Sequence, residues 1–152
     1  MRLRDVLDRL LYGPNAQLYS YERSVFASVR EELGETIGGK FDAQLQHLPY
    51  RQRQDEGRIL AFFPIKGSRL PARILFNNAD ELCFATVELR KREALATRLT
   101  ARLYAVNRRF FSVEFDVPPS LKGFEDRTEI EITSVTISAD LERASNLRGN
   151  GT

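Results

Sequence analysis

The sequence predicts an α+β domain in which N-terminal helices pack on one face of a curved, mainly antiparallel sheet of five or six strands. Three observations carry this expectation. Apolar residues recur at helical spacing as far as Leu48, and from Arg58 onward they recur at every second position. The helical and strand-like parts are also segregated, whereas βαβ units would alternate them. A single domain over residues 1–142 follows, helical over 1–48 and strand-rich over 58–139, with a polar tail at 143–152.

The first helix is expected over 3–12, where Leu3, Val6, Leu7, Leu10 and Leu11 share a face and Gly13-Pro14 stops the pattern. Ser20 is the expected cap of a second helix. Glu22 suits its first turn, Val25, Phe26, Val29 and Leu33 form its stripe, and Gly34 ends it. After Thr36–Gly39, a third short stripe of Phe41, Leu45 and Leu48 ends before Pro49. Strand-forming runs follow near 58–63, 72–77, 82–90, 99–106, 110–117 and 129–139.

Side-chain parity sets the register. A three-residue loop, Asn107-Arg108-Arg109, pairs Ala105 with Phe111, Leu103 with Val113, Ala101 with Phe115 and Arg102 with Glu114, keeping apolar residues together. Arg109 is then the residue expected in a left-handed conformation. Cys83, Ala85, Val87 and Leu89 join the inner face, while Leu82, Phe84, Thr86, Glu88 and Arg90 point outward. Ile130 and Ile132 are out of phase with Val135 and Ile137, so a bulge is expected near Thr133-Ser134.

The outward side reads as two unlike ends. Glu88, Arg102 and Glu114 suit water, whereas Leu82, Phe84, Tyr104, Val106 and Phe110 form an apolar group expected to be covered by another chain or by a terminal segment. Tyr, Phe and Arg are the residue types that interfaces favour, and Arg108 and Arg109 at the hairpin tip can pair with acids across a boundary.

The chain has 152 residues, 42% of them hydrophobic, so it can build a core without disulfides or a structural metal. Cys83 is the single cysteine and His47 the single histidine, which leaves no soft-ligand set for zinc or an iron–sulfur centre. No metal and no cofactor are expected. Charges interrupt the opening Met1–Arg9 and no apolar run approaches membrane length, pointing to a cytoplasmic protein without membrane attachment. Arginine outnumbers lysine 19 to 4, a bias that GC-rich bacterial codon usage explains.

Catalytic motifs are absent. There is no GxGxxG, Walker A, GxSxG, HExxH or EF-hand pattern, and Gly38-Gly39-Lys40 lacks a preceding strand. Cys83 with His47 is the one conceivable thiolate–imidazole pair, but a mid-strand cysteine among apolar neighbours reads as a small buried hydrophobe. The adjacent pairs Glu31-Glu32, Asp55-Glu56 and Asp80-Glu81 diverge and read as solvated surface.

Charge is uneven although the net value is only +2. Residues 48–73 hold six basic groups against Asp55 and Glu56, a local +4, and residues 90–109 hold seven against Glu93, a local +6. Residues 114–142 hold eight carboxylates against Lys122 and Arg127, so antiparallel pairing can neutralise much of the positive field.

The function expected from these residues is a noncatalytic protein-interaction domain that binds a protein partner or a second copy of itself as a homodimer: a small bacterial regulator, an adaptor or an immunity-type protein. Its partner-binding residues would be Leu82, Phe84, Tyr104, Val106, Arg108, Arg109 and Phe110. One alternative is a nucleic-acid-binding domain using Arg51, Arg53, Arg69 and Arg73, with Tyr50, Tyr104 and Phe110 as stacking residues. Another is a small-ligand or enzymatic domain with a pocket between helix and sheet. The order of helices followed by a strand meander resembles cystatin-like and related α+β folds, a resemblance of layout that transfers no functional residue.

Overall fold

The computed structural model describes residues 17–78 and 80–141. Helix α1 (Ser20–His47) packs on one face of an antiparallel sheet of six strands: β1 (Tyr50–Gln54), β2 (Ile59–Phe63), β3 (Leu82–Lys91), β4 (Arg98–Val106), β5 (Arg109–Phe115) and β6 (Ile130–Ile137). Their order across the sheet is β1-β2-β5-β4-β3-β6, so the last strand closes against β3 rather than extending the meander. This is the α+β layout that the periodicities predict. The helix expected over 3–12 and the tail at 143–152 lie outside the described residues. Among the described residues, no helix is long and apolar enough to cross a membrane.

Helix α1 is continuous in span but folded in two. Gly34 has φ 79° and ψ −175°, a conformation essentially confined to glycine, and it separates two limbs. Phe26 and Phe41 would lie roughly 22 Å apart along a straight helix, yet their rings stack with centroids 6.0 Å apart. The Arg30 Nε also donates to Asp42 at 2.5 Å. Gly38 permits this closeness, since a Cβ there would stand 3.0 Å from the Arg30 carbonyl oxygen. The two stripes expected on either side of Gly34 are therefore the two limbs.

At its start the helix is capped by Tyr19 rather than Ser20. Glu22 accepts the Tyr19 amide at 2.7 Å, and Asp126, distant in sequence, accepts the Ser20 amide at 2.9 Å. A loop thus satisfies an amide that the helix cannot satisfy itself.

Two strand expectations change. Residues 72–77 form no strand: Ala72–Ile74 is a 3-10 turn, and this apolar stretch is buried beside α1. Gln44 donates to the Ile74 carbonyl, Lys40 donates to that of Leu75, and the Phe76 amide donates to the Arg108 carbonyl at 2.7 Å. Conversely β1, Tyr-Arg-Gln-Arg-Gln, is a strand without an apolar alternation. Backbone pairing with β2 holds it, with Arg51 opposite Phe62 and Arg53 opposite Leu60 on the helix side.

The β4–β5 hairpin corrects the expected loop. Asn107 and Arg108, at φ 52° and 68°, form a two-residue turn, and both positive angles match the twist of a hairpin. Arg109 is inside β5 instead of in the left-handed position. Ala101, Arg102 and Leu103 pair with Phe115, Glu114 and Val113 as parity requires, and a bulge between Tyr104 and Ala105 then accommodates the shorter turn. Ala105 consequently faces Phe110, and Phe111 is the extra residue.

A second bulge, at Phe84 on β3, flanks the same part of β4. Past it, Cys83 stands opposite Tyr104 and Leu82 opposite Ala105, reversing the faces expected for Leu82, Cys83 and Phe84. Beyond the bulge, Ala85, Val87 and Leu89 face inward as parity requires. The bulge expected near Thr133-Ser134 is present, and Ile130, Ile132, Val135 and Ile137 all pack against the core.

The two bulges explain the core. Phe110 is fully buried, with ring centroids 5.7 Å from Phe26, 5.3 Å from Phe41, 4.9 Å from Phe62 and 6.1 Å from Phe84. Edge-to-face and tilted rings in this arrangement add to the area that they bury. The cluster joins both limbs of α1 to β2, β3 and β5.

Candidate interaction surface

On the face of the sheet opposite α1, side chains divide along the strands. One half is charged and paired: Arg102 stands opposite Glu114, Thr100 donates to the Glu88 carboxylate, and Arg90 meets Glu131 at 3.0 Å. These contacts set carboxylates against Arg90 and Arg102, two of the cations of the basic 90–109 stretch. The half towards the hairpin tip is apolar. It carries Tyr104, Val106 and Phe111, all half-buried and none packed against the core.

Of the seven residues expected to bind a partner, the structure brings together three. Tyr104, Val106 and Arg109 share the outer face. Leu82, Phe84 and Phe110 lie on the helix side; Phe84 and Phe110 are fully buried core residues and Leu82 packs against the core. The expected contiguous face of Phe84, Tyr104, Val106 and Phe110 is therefore split between the two sides of the sheet. Arg108 is in the turn, where its Nε donates to the Phe76 carbonyl at 2.9 Å.

Phe111 is the surface residue that parity missed. Its ring meets Phe63 edge-on, with centroids 6.1 Å apart and planes at 86°, and the Arg109 guanidinium carbon stands 5.7 Å from its centre. The signal was in the sequence: Asn107 suits a positive φ, so a two-residue turn followed by a bulge was available.

Arg109 has an unusual environment. It is half-buried, and its Nη1 donates to the carbonyls of Phe62 and Phe110 at 3.3 and 3.1 Å. No carboxylate among the described residues pairs with it. Burial alone holds its pKa below the ordinary guanidinium value. Burial also raises the pKa of the nearby Tyr104 hydroxyl, with Cys83 and Glu114 adding to the effect.

The other candidates are placed differently. Arg51 and Arg53 point to the helix side from edge strand β1. Arg53 is committed there: it forms an ion pair with the buried Glu22, donates to the Gln17 carbonyl at 2.5 Å and lies 3.7 Å over the Tyr19 ring. Arg69 and Arg73 are exposed on the connection between β2 and β3. Cys83 has its sulfur near the Ala85 carbonyl and the Thr86 hydroxyl, whereas His47 Nδ1 contacts the Ala43 carbonyl at the end of α1.

A cleft of about 540 Å³ opens between the start of α1 and the 119–127 segment, lined by Tyr19, Tyr21, Arg53, Phe124 and Asp126 among others. Two of its polar side chains are used structurally, Arg53 by Glu22 and Asp126 by the helix start. Among the described residues, no group of three or more His, Cys, Asp or Glu side chains is placed to hold a metal ion. No protein-family model, curated protein or solved structure matches this chain, so the likeness to cystatin-like folds rests on element order alone.

Proposed function

We propose that this chain is a noncatalytic protein-interaction domain that binds its partner through the outer face of the sheet at the hairpin end. The observation that carries the reading is the patch of Tyr104, Val106 and Phe111, which is half-buried on the side of the sheet away from α1. Tyrosine and phenylalanine beside an arginine offer a large contact area at little cost in side-chain entropy. A regulator, an adaptor or an immunity-type protein, of bacterial and cytoplasmic setting, would use such a surface, and self-association is one form of it.

The test compares wild type with Tyr104→Ser/Phe111→Ser in affinity capture from the cytosol of the source cell, alongside sedimentation and thermal unfolding. The expected result is loss of a specific captured protein, or of a dimer, with the fold retained. Unchanged capture and sedimentation together with a collapse of thermal stability would overturn the reading and make these residues ordinary core.

The nucleic-acid alternative draws less support, because Arg53 is occupied by Glu22 and Phe110 is buried. The enzymatic alternative draws on the cleft beside Tyr21, where Arg53 and Asp126 already serve the fold.

A further inference from the structure

The partner's chemistry can be specified more closely, an inference that rests on the interaction reading above. We propose that the partner presents an aspartate or glutamate flanked by apolar side chains, and that this carboxylate seats on Arg109 while its neighbours cover Phe111, Tyr104 and Val106.

The argument starts from unused hydrogen-bonding capacity. A guanidinium has five N–H donors in a fixed fork, and both bonds that Arg109 makes with described residues leave from Nη1. Nε and Nη2 remain for a ligand, the geometry that grips a carboxylate with two parallel bonds. The cation is already partly removed from water, and no described carboxylate compensates it. A partner that covered the patch with apolar groups alone would bury this charge unpaired, which is costly. A partner that brought an acid would recover that cost and gain a charge-assisted bond in a site excluded from water.

The same surface suits other occupants less well. A nucleic acid would need flat, accessible rings and several cations, but Phe111 meets Phe63 edge-on and Glu114 and Glu88 share the face. A second copy would have to supply a carboxylate from its own face, where Glu114 stands opposite Arg102, Glu88 accepts from Thr100 and Glu131 pairs with Arg90.

The experiment uses the full chain, immobilised, against a random dodecapeptide library displayed on phage. Wild type, Arg109→Gln and Phe111→Ser are screened in parallel after confirming that all three unfold cooperatively. Wild type should enrich peptides with Asp or Glu beside Leu, Ile, Phe or Trp. A synthetic consensus peptide should bind at least about tenfold more weakly when its acid becomes the amide, and similarly to Arg109→Gln. The two changes combined should weaken binding little more than either alone.

Peptides that depend on Phe111 but ignore both the acid and Arg109 would overturn the acidic preference and leave the interaction reading standing. A library yielding no Phe111-dependent peptide would overturn both. Salt-dependent binding of an oligouridylate that is lost in Phe111→Ser, or a dimer that Phe111→Ser dissociates, would replace the acidic partner with a nucleic acid or a second copy.

Discussion

The carboxamide of Gln44 bridges two backbone groups that no strand satisfies: its Oε1 accepts the Phe110 amide at 2.6 Å and its Nε2 donates to the Ile74 carbonyl at 2.7 Å. Phe110 lies where β5 bulges, and Ile74 lies in a 3-10 turn, so neither can rely on a regular ladder there. Gln44 is itself fully buried. One side chain thus ties the second limb of α1 to both irregular segments.

Replacing Gln44 with leucine should therefore destabilise the chain although hydrophobicity rises. Each backbone group left buried and unpaired costs about 1–3 kcal/mol. Urea unfolding followed by circular dichroism should show a lower midpoint with an unchanged slope; an unaltered midpoint would mean that water or a local shift replaces the amide.

Phe110 and Tyr104 separate core from surface. Phe110→Ala should cost about 3–5 kcal/mol, the range for truncating a fully buried phenylalanine, because four rings lose a neighbour. Tyr104→Ala should cost well under half as much. Equal losses in chemical denaturation would show that the outer face is as tightly packed as the core.

The glycines of α1 should respond in three different ways to alanine. At Gly34 there is room for a Cβ, but φ is +79°, so strain of about 1–3 kcal/mol is expected. Gly38→Ala should destabilise through contact with the Arg30 backbone. Gly39 has open space and an ordinary φ, and alanine there should stabilise by about 0.5–1 kcal/mol. Thermal melts of the three variants check the order.

Stability should also fall in alkali through Tyr21. Burial is the largest cause of its raised pKa, with the Glu22 charge adding to it. Above the ordinary tyrosine value of 10.0 the unfolded chain releases this proton while the folded chain retains it, so the unfolded state binds fewer protons and stability declines as pH rises. The contribution approaches about 1.4 kcal/mol per pH unit. Denaturation midpoints at pH 9 to 11 should fall less steeply in Tyr21→Phe; parallel slopes would remove Tyr21 from the alkaline response.

What the sequence disclosed and what it hid follow from the same side chains. The limbs of α1 were legible because Val25, Phe26, Val29 and Leu33 repeat at helical spacing and Gly34 interrupts them. The bulge in β6 was legible because Ile132 and Val135 fall out of phase, and only an inserted residue restores one face. Strand β1 was hidden because its inward positions are Arg51 and Arg53, whose burial depends on Glu22 and on the sheet edge. Ile74, Leu75 and Phe76 imitated a strand because burial under a helix and burial in a sheet can select the same apolar residues.

The surface was half legible for a related reason. Tyr104 and Val106 keep their expected side because β4 remains regular. Phe84, Phe110 and Phe111 move because the neighbouring strands each gain one residue. Parity carries an assignment only as far as the next bulge.

The position of β6 has a consequence for biosynthesis. Helix α1 is made before all six strands, yet it packs against β6, the last of the described strands to be made. With about 80 residues between His47 and Ile130, translation at about 5–20 residues per second separates their appearance by roughly 4–16 seconds. During that interval Val25 and Val29 have been synthesised but the sheet beneath them is incomplete. The nascent chain therefore presents the apolar face of this helix uncovered, and the helix gains its full seat only after Ile137 has emerged.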